Sequence, residues 1–120
     1  MECVTTMLDP AIPLTVNEWG DPRDPVARAY LASYSPYDNP PAGPRPDLLV
    51  TGSLHDPRVL LHELAKWVAR LRATDTAGSR VLFRPELGAG THTGPAGRFG
   101  QLGYAAEILA FITDAVRGRS

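Results

Sequence analysis

Cysteine is nearly absent from this chain of 120 residues: Cys3 stands alone, so no internal disulfide can form. Charge of one sign is lacking too. Twelve Lys and Arg are set against thirteen Asp and Glu, a formal net charge of −1 at pH 7, and no basic stripe follows any predicted element. Nucleic acid and membrane surfaces are therefore disfavoured as partners. The N-terminus has neither a basic region nor a long apolar run of the signal-peptide kind, which makes the cytoplasm the expected address. An apolar segment nevertheless starts within a few residues of Met1, as if a domain were entered partway. The length allows at most one small core. Proline and glycine are plentiful, 12 and 11 residues respectively, and they mark a chain rich in turns.

The clearest run of structure starts at Pro46. Leu48-Leu49-Val50 reads as a buried strand that stops at Gly52 and a polar turn carrying His55 and Asp56. From Pro57, Leu60, Leu64, Val68 and Leu71 recur at helical spacing, which predicts an amphipathic helix over Pro57–Arg72 with His62, Glu63, Lys66, Arg70 and Arg72 on its solvated side. Val81-Leu82-Phe83 is a second short strand, and the loop after it, Gly88 to Gly97, holds four glycines and His92. Leu102, Ala105, Ala106, Leu109, Ile112 and Val116 describe a closing helix. Upstream, Asp24-Pro25 starts a helix by cap-and-proline grammar, with Val26, Ala29, Tyr30 and Ser33 on one side. The loop around Asn17–Pro22 carries Trp19, an aromatic expected to anchor it to the body. The order is strand, Asp loop, helix, strand, His loop, helix. Such alternation implies parallel neighbours joined by a right-handed crossover, in an α/β fold whose sheet is incomplete.

Asp56 admits two readings. It stands at the carboxyl end of a strand, where open α/β sheets collect their chemistry, and it precedes a proline as a helix N-cap does. His92 read alone is an exposed loop histidine. The matched order of Asp and His on successive strand-end loops supplies two members of a Ser, Asp, His hydrolase arrangement. The third is not in this sequence: none of Ser33, Ser35, Ser53, Ser79 and Ser120 lies in a Gly-x-Ser-x-Gly elbow.

Several motifs in order resemble one family. Ser35-Pro-Tyr-Asp-Asn39, Leu48-Leu-Val-Thr-Gly52, His55-Asp-Pro-Arg-Val59, Ala65-Lys-Trp-Val-Ala-Arg-Leu71, Gly88-Ala-Gly90 and Gly94-Pro-Ala-Gly-Arg-Phe99 are similar to the C-terminal part of the peptidase domain of prolyl oligopeptidase-family serine peptidases. Thr5-Thr-Met-Leu-Asp-Pro10, Leu14-Thr15 and Glu18-Trp-Gly-Asp-Pro22 point to the oligopeptidase B branch. The resemblance covers nearly the whole chain and implies that residues 1–120 are a C-terminal fragment of an α/β-hydrolase domain. It makes Asp56 and His92 the triad aspartate and histidine. It makes Arg58 a contact to the substrate backbone, and Glu18 the remnant of an acidic stretch that binds a basic substrate side chain. Short peptides with a basic residue before the scissile bond are the implied substrates, and no cofactor is expected.

The family pattern Gly-Ala-Gly-His is interrupted here by Thr91, an extra residue that could displace the imidazole by up to about 3.5 Å. The serine elbow, the oxyanion-hole strand and the N-terminal propeller are also missing from this sequence, so the chain is expected to be inactive alone, with the serine supplied by a separate chain. A non-enzymatic module that pairs its open sheet edge with another chain is the alternative. A metal site built from His55, Asp56, His62 and His92 is the least supported reading, since their spacing matches no established zinc pattern, and no metal is expected.

Overall fold

The computed structural model describes residues 4–10 and 16–118. Cys3, the Ile12-Pro13 break, Leu14-Thr15 and the last two residues lie outside them. The two short apolar runs form strands β1 (Leu48–Ser53) and β2 (Val81–Glu86), paired parallel in the register Leu48 to Val81 through Ser53 to Glu86. Between them helix α3 (Leu61–Ala73) crosses one face. Upstream lie a 3-10 turn at Thr6–Leu8, helix α1 (Val16–Trp19) and helix α2 (Pro25–Tyr34); helix α4 (Arg98–Arg117) closes the chain. Among the described residues no helix is long and apolar enough to cross a membrane.

Period-2 alternation sends Leu48 and Val50 of β1, with Val81 and Phe83 of β2, toward α3. The helix answers with Leu64, Val68 and Leu71 at its 3.6 period, and Val50, Leu64, Val68, Leu71 and Val81 form the core. Gly52 is part of this fit: a Cβ there would collide with Leu64 Cδ1, so glycine lets the helix lie close on the strand where β1 ends.

The helix does not start at Pro57. Residues 57–59 form bends, Leu60 is the N-cap without a side-chain cap bond, and the first helical residue is Leu61. Asp56 caps a turn instead, its Oδ1 accepting from the backbone N–H groups of Arg58 at 2.8 Å and Val59 at 3.0 Å. Local bonding of the carboxylate thus competes with helix formation and delays it. Glu63, expected on the solvated side, is buried, with His62 Nε2 3.2 Å and Lys66 Nζ 3.5 Å from its Oε1. The N-terminal segment passes this end of α3, where Asp9 Oδ2 lies 3.9 Å from His62 Nε2.

Helix α2 starts as expected, with Asp24 Oδ1 accepting from Val26 and Ala27 N–H ahead of Pro25. Its buried residue is Leu31, whereas Val26 and Tyr30 are exposed. Trp19 anchors no loop. It ends the four-residue helix α1 and is 55% exposed. Helix α4 buries none of its residues. It is tied to the second face of the sheet by arginines of the β2 side. Arg84 Nε lies 2.7 Å from Glu107 Oε2, and its guanidinium sits 5.0 Å from the centre of the Tyr104 ring. Arg80 pairs with Asp114 at 2.6 Å and lies over Phe111.

Candidate active site

Parallel strands deliver their following loops to one edge of the sheet, and here those loops carry Asp56 and His92. Asp56 is buried, 6% exposed, so its charge needs partners. Oδ1 takes the two turn N–H groups described above. Oδ2 lies 2.7 Å from His92 Nδ1. Burial opposes the charged carboxylate, but the N–H of Arg58, the His92 ring and the N–H of Val59 together outweigh it and hold the carboxyl below the usual 3.8.

The loop that carries His92 is pinned along its length. Glu86 Oε1 accepts from the N–H of Gly88 at 2.8 Å as the chain leaves β2. The Ser53 hydroxyl, buried at the end of β1, donates to the Gly90 carbonyl at 2.7 Å, across 37 positions of sequence. Thr91 and Gly94 then exchange both backbone bonds at 3.0 Å, which leaves His92 and Thr93 as the tip of a two-residue hairpin. Gly94 adopts φ +99°, and the Tyr104 ring of α4 packs against it where a side chain would stand. Gln101 Nε2 closes the loop by donating to the Pro95 carbonyl at 2.8 Å. The extra residue Thr91 therefore does not push the imidazole away. Its backbone pairing with Gly94 builds the turn that aims His92 at Asp56.

With Nδ1–H donating to Asp56, the neutral ring keeps Nε2 as its basic nitrogen, and 47% exposure of the side chain leaves it open to a further group. An imidazole oriented and electrostatically supported by a buried carboxylate can take a proton from a hydroxyl nucleophile and return it to a leaving group. Beneath the pair lies a cavity of about 220 Å³ lined in part by Thr51, Ser53, Glu86 and Tyr104. Ser53 borders it, but its hydroxyl is committed to Gly90 and the residue is 2% exposed, so it is not presented to a substrate.

Arg58 meets Asp56 through its backbone, and its side chain is exposed. Glu18, exposed on α1, does not line the cavity. Of the four residues singled out from sequence, only Asp56 and His92 meet through their side chains. Ser53, Glu86, Gln101 and Tyr104 were not anticipated. The one local signal was Glu86 two residues before Gly88, the spacing that lets a carboxylate cap a turn. Among the described residues no three His, Cys, Asp or Glu side chains are grouped to hold a metal ion.

A profile described as the prolyl oligopeptidase family matches residues 1–119. Protease 2 of Moraxella lacunata is 50% identical over 117 residues, which is 95% of this chain and 17% of that protein. Dipeptidyl aminopeptidase BI of Pseudoxanthomonas mexicana is 46% identical over 117 residues, 95% of this chain and 16% of that protein. Oligopeptidase B from Trypanosoma brucei, solved with covalently bound antipain in a closed form, superposes with a TM-score of 0.87 at 37% identity, covering 100% of this chain and 17% of that one. Oligopeptidase B from Leishmania major gives 0.82 at 38% identity over 92% of this chain and 16% of that one. The chain thus spans well under a fifth of the length of these relatives.

Proposed function

The chain belongs to the prolyl oligopeptidase family, and from that premise we propose that Asp56 and His92 are the acidic and basic members of a serine-peptidase triad whose nucleophile is carried by polypeptide outside these 120 residues. The observation that carries the reading is the 2.7 Å approach of His92 Nδ1 to a buried carboxylate that already holds two backbone N–H groups. Such a carboxylate fixes the tautomer and stabilises the imidazolium that forms when Nε2 accepts the serine proton. The α/β-hydrolase fold places both loops on one sheet edge, where a nucleophile on a further strand end would meet Nε2.

In this reading residues 1–120 act as the C-terminal portion of a peptidase domain and take short peptides as substrates. Arg58, exposed two residues beyond Asp56, contacts the substrate backbone, and Glu18 favours a basic residue before the scissile bond. The single cysteine accords with a cytoplasmic address. None of the serines in the sequence lies in a Gly-x-Ser-x-Gly elbow, so the chain by itself is expected to cleave nothing and to escape labelling by a serine-reactive phosphonate.

The test is to co-express the chain with the Moraxella lacunata relative from which the matching segment has been deleted, and to assay peptides with a basic residue before the bond. Cleavage is expected only when both polypeptides are present. His92→Gln and Asp56→Asn should each lower kcat by about a thousandfold or more. Efficient cleavage by the 120-residue chain alone, or full activity in either variant, would refute the assignment.

A further inference from the structure

The loop from Gly88 to Gly97 holds four glycines, so its own backbone does little to fix the tip where His92 stands. The anchors at its two ends decide where the imidazole points. At the entry, Glu86 Oε1 accepts from the Gly88 N–H, and the stem of Glu86 meets the loop again at Gly90, where a Cβ would collide with Glu86 Cγ. At the exit, the Tyr104 ring packs on Gly94. The two anchors belong to different elements, the end of β2 and the second turn of α4. Apolar burial does not fix one against the other, since α4 buries none of its residues.

Among the described residues one side chain joins them. Arg84 Nη1 lies 2.8 Å from Glu86 Oε2, the carboxylate oxygen that Gly88 does not use. Its Nε donates to Glu107 Oε2 at 2.7 Å, and its guanidinium lies 5.0 Å from the centre of the Tyr104 ring, three residues before Glu107 on the same face of α4. Two edge donors and one face of a planar group are thus engaged at once, an arrangement that a lysine ammonium cannot copy. Glu86 and Tyr104 both line the cavity beneath Asp56 and His92, and Arg84 does not. Resting on the reading of Asp56 and His92 given above, we infer that Arg84 is a positioning residue for catalysis: it clamps the entry and the exit of the His92 loop to each other, and so holds Nδ1 on Asp56 and Nε2 toward the nucleophile. It touches no reacting atom. Arg80, on the same side of the sheet, ties α4 through Asp114 and Phe111, neither of which belongs to the loop.

The test uses Arg84→Met, which keeps most of the stem and removes the fork. In the complex with the segment-deleted Moraxella lacunata relative, kcat should fall about tenfold while KM stays within about twofold. In the chain itself, the nitrogen chemical shifts of the His92 ring at about pH 8, where an ordinary imidazole is neutral, should move from the Nδ1–H tautomer toward a mixture of the two. The amides of Thr91 and Gly94 should exchange faster. Arg80→Met, which loosens α4 without touching the loop, should leave ring and kcat as they are. Arg84→Lys should restore little of the lost kcat, because one ammonium cannot serve both carboxylates and the ring. Wild-type ring shifts and kcat in Arg84→Met, equal losses in Arg80→Met, or full recovery in Arg84→Lys overturns the clamp. Should Arg84→Met fail to fold, Glu107→Leu decides, a change at an exposed position that releases only the α4 arm. A drop in kcat of about threefold there supports the clamp, and an unchanged kcat overturns it. A wild-type ring without a proton on Nδ1, or full activity in His92→Gln, overturns the dyad reading and this role with it, whereas the earlier outcomes overturn the role alone.

Discussion

At Asp56 the two carboxylate oxygens divide the work: Oδ1 holds the turn that follows β1, and Oδ2 holds the imidazole. Its pKa is below the ordinary 3.8 because those contacts outweigh burial. The sign follows from linkage: a carboxyl with a lower pKa folded than unfolded stabilises the protein above the unfolded value and loses that contribution as pH falls through the folded one. Asp21, Asp75 and Glu86 are shifted in the same direction, so the acid limb as a whole is shared. Asp56→Asn isolates one part of it. The stability gap between wild type and variant, measured by urea unfolding, should be constant above about pH 5 and shrink below the reference value of 3.8. A gap that stays flat into acid would mean that the ionised form has no preferred partners. Ser53→Ala tests the other hidden residue. It leaves the buried Gly90 carbonyl without its donor and should cost about 1–3 kcal/mol in the same assay, with faster exchange at the amides of Thr91 and Gly94. Asp56 and His92 could be read from sequence because each sits next to a recognisable strand end. Ser53 could not, since its role exists only once the chain has brought Gly90 back across 37 positions.

At the scale of elements, β1, α3 and β2 were legible because the strands open with short unbroken apolar runs, Leu48-Leu49-Val50 and Val81-Leu82-Phe83, between turn residues, and the helix carries a 3.6 repeat. The limits of that legibility are physical. The start of α3 was misplaced because Asp56 bonds two N–H groups of the following turn, and this contest between local bonds cannot be decided from the Asp-Pro pair alone. The apolar stripe of α4 was also read correctly as a pattern, but Leu102, Leu109, Ile112 and Val116 remain exposed. Periodicity reports which face favours burial, not whether a partner is there. Where the partner is present the fit is tight. Gly52→Ala should destabilise the chain by about 1–3 kcal/mol, because the new methyl meets Leu64 Cδ1 against the core. Combined with Leu64→Ala it should cost less than the sum of the two single changes, since the clash and the cavity relieve each other. Strict additivity in urea unfolding would place the strain elsewhere.

For the whole molecule the radius of gyration is 16.4 Å, against about 13.6 Å for a compact domain of this length. The principal extents of 48, 38 and 20 Å describe a flattened body. The cause is visible in how the layers are joined: apolar packing fixes α3 to the sheet, whereas α4 is held mainly by the pairs Arg84 with Glu107 and Arg80 with Asp114. Pairs of this exposure contribute about 0–1 kcal/mol each and weaken with salt. The apolar surfaces they leave open, on α4 with Phe99 at its start and at Trp19 and Tyr30, respond in the opposite way, because sulfate strengthens apolar association. The two forces can therefore be separated in one experiment. In sedimentation velocity at fixed protein concentration, raising sodium sulfate should shift the chain toward larger species, and exchange protection of α4 should fall relative to α3 before association sets in. Dissociation on adding sulfate would mean that charge, not the exposed apolar faces, brings the copies together.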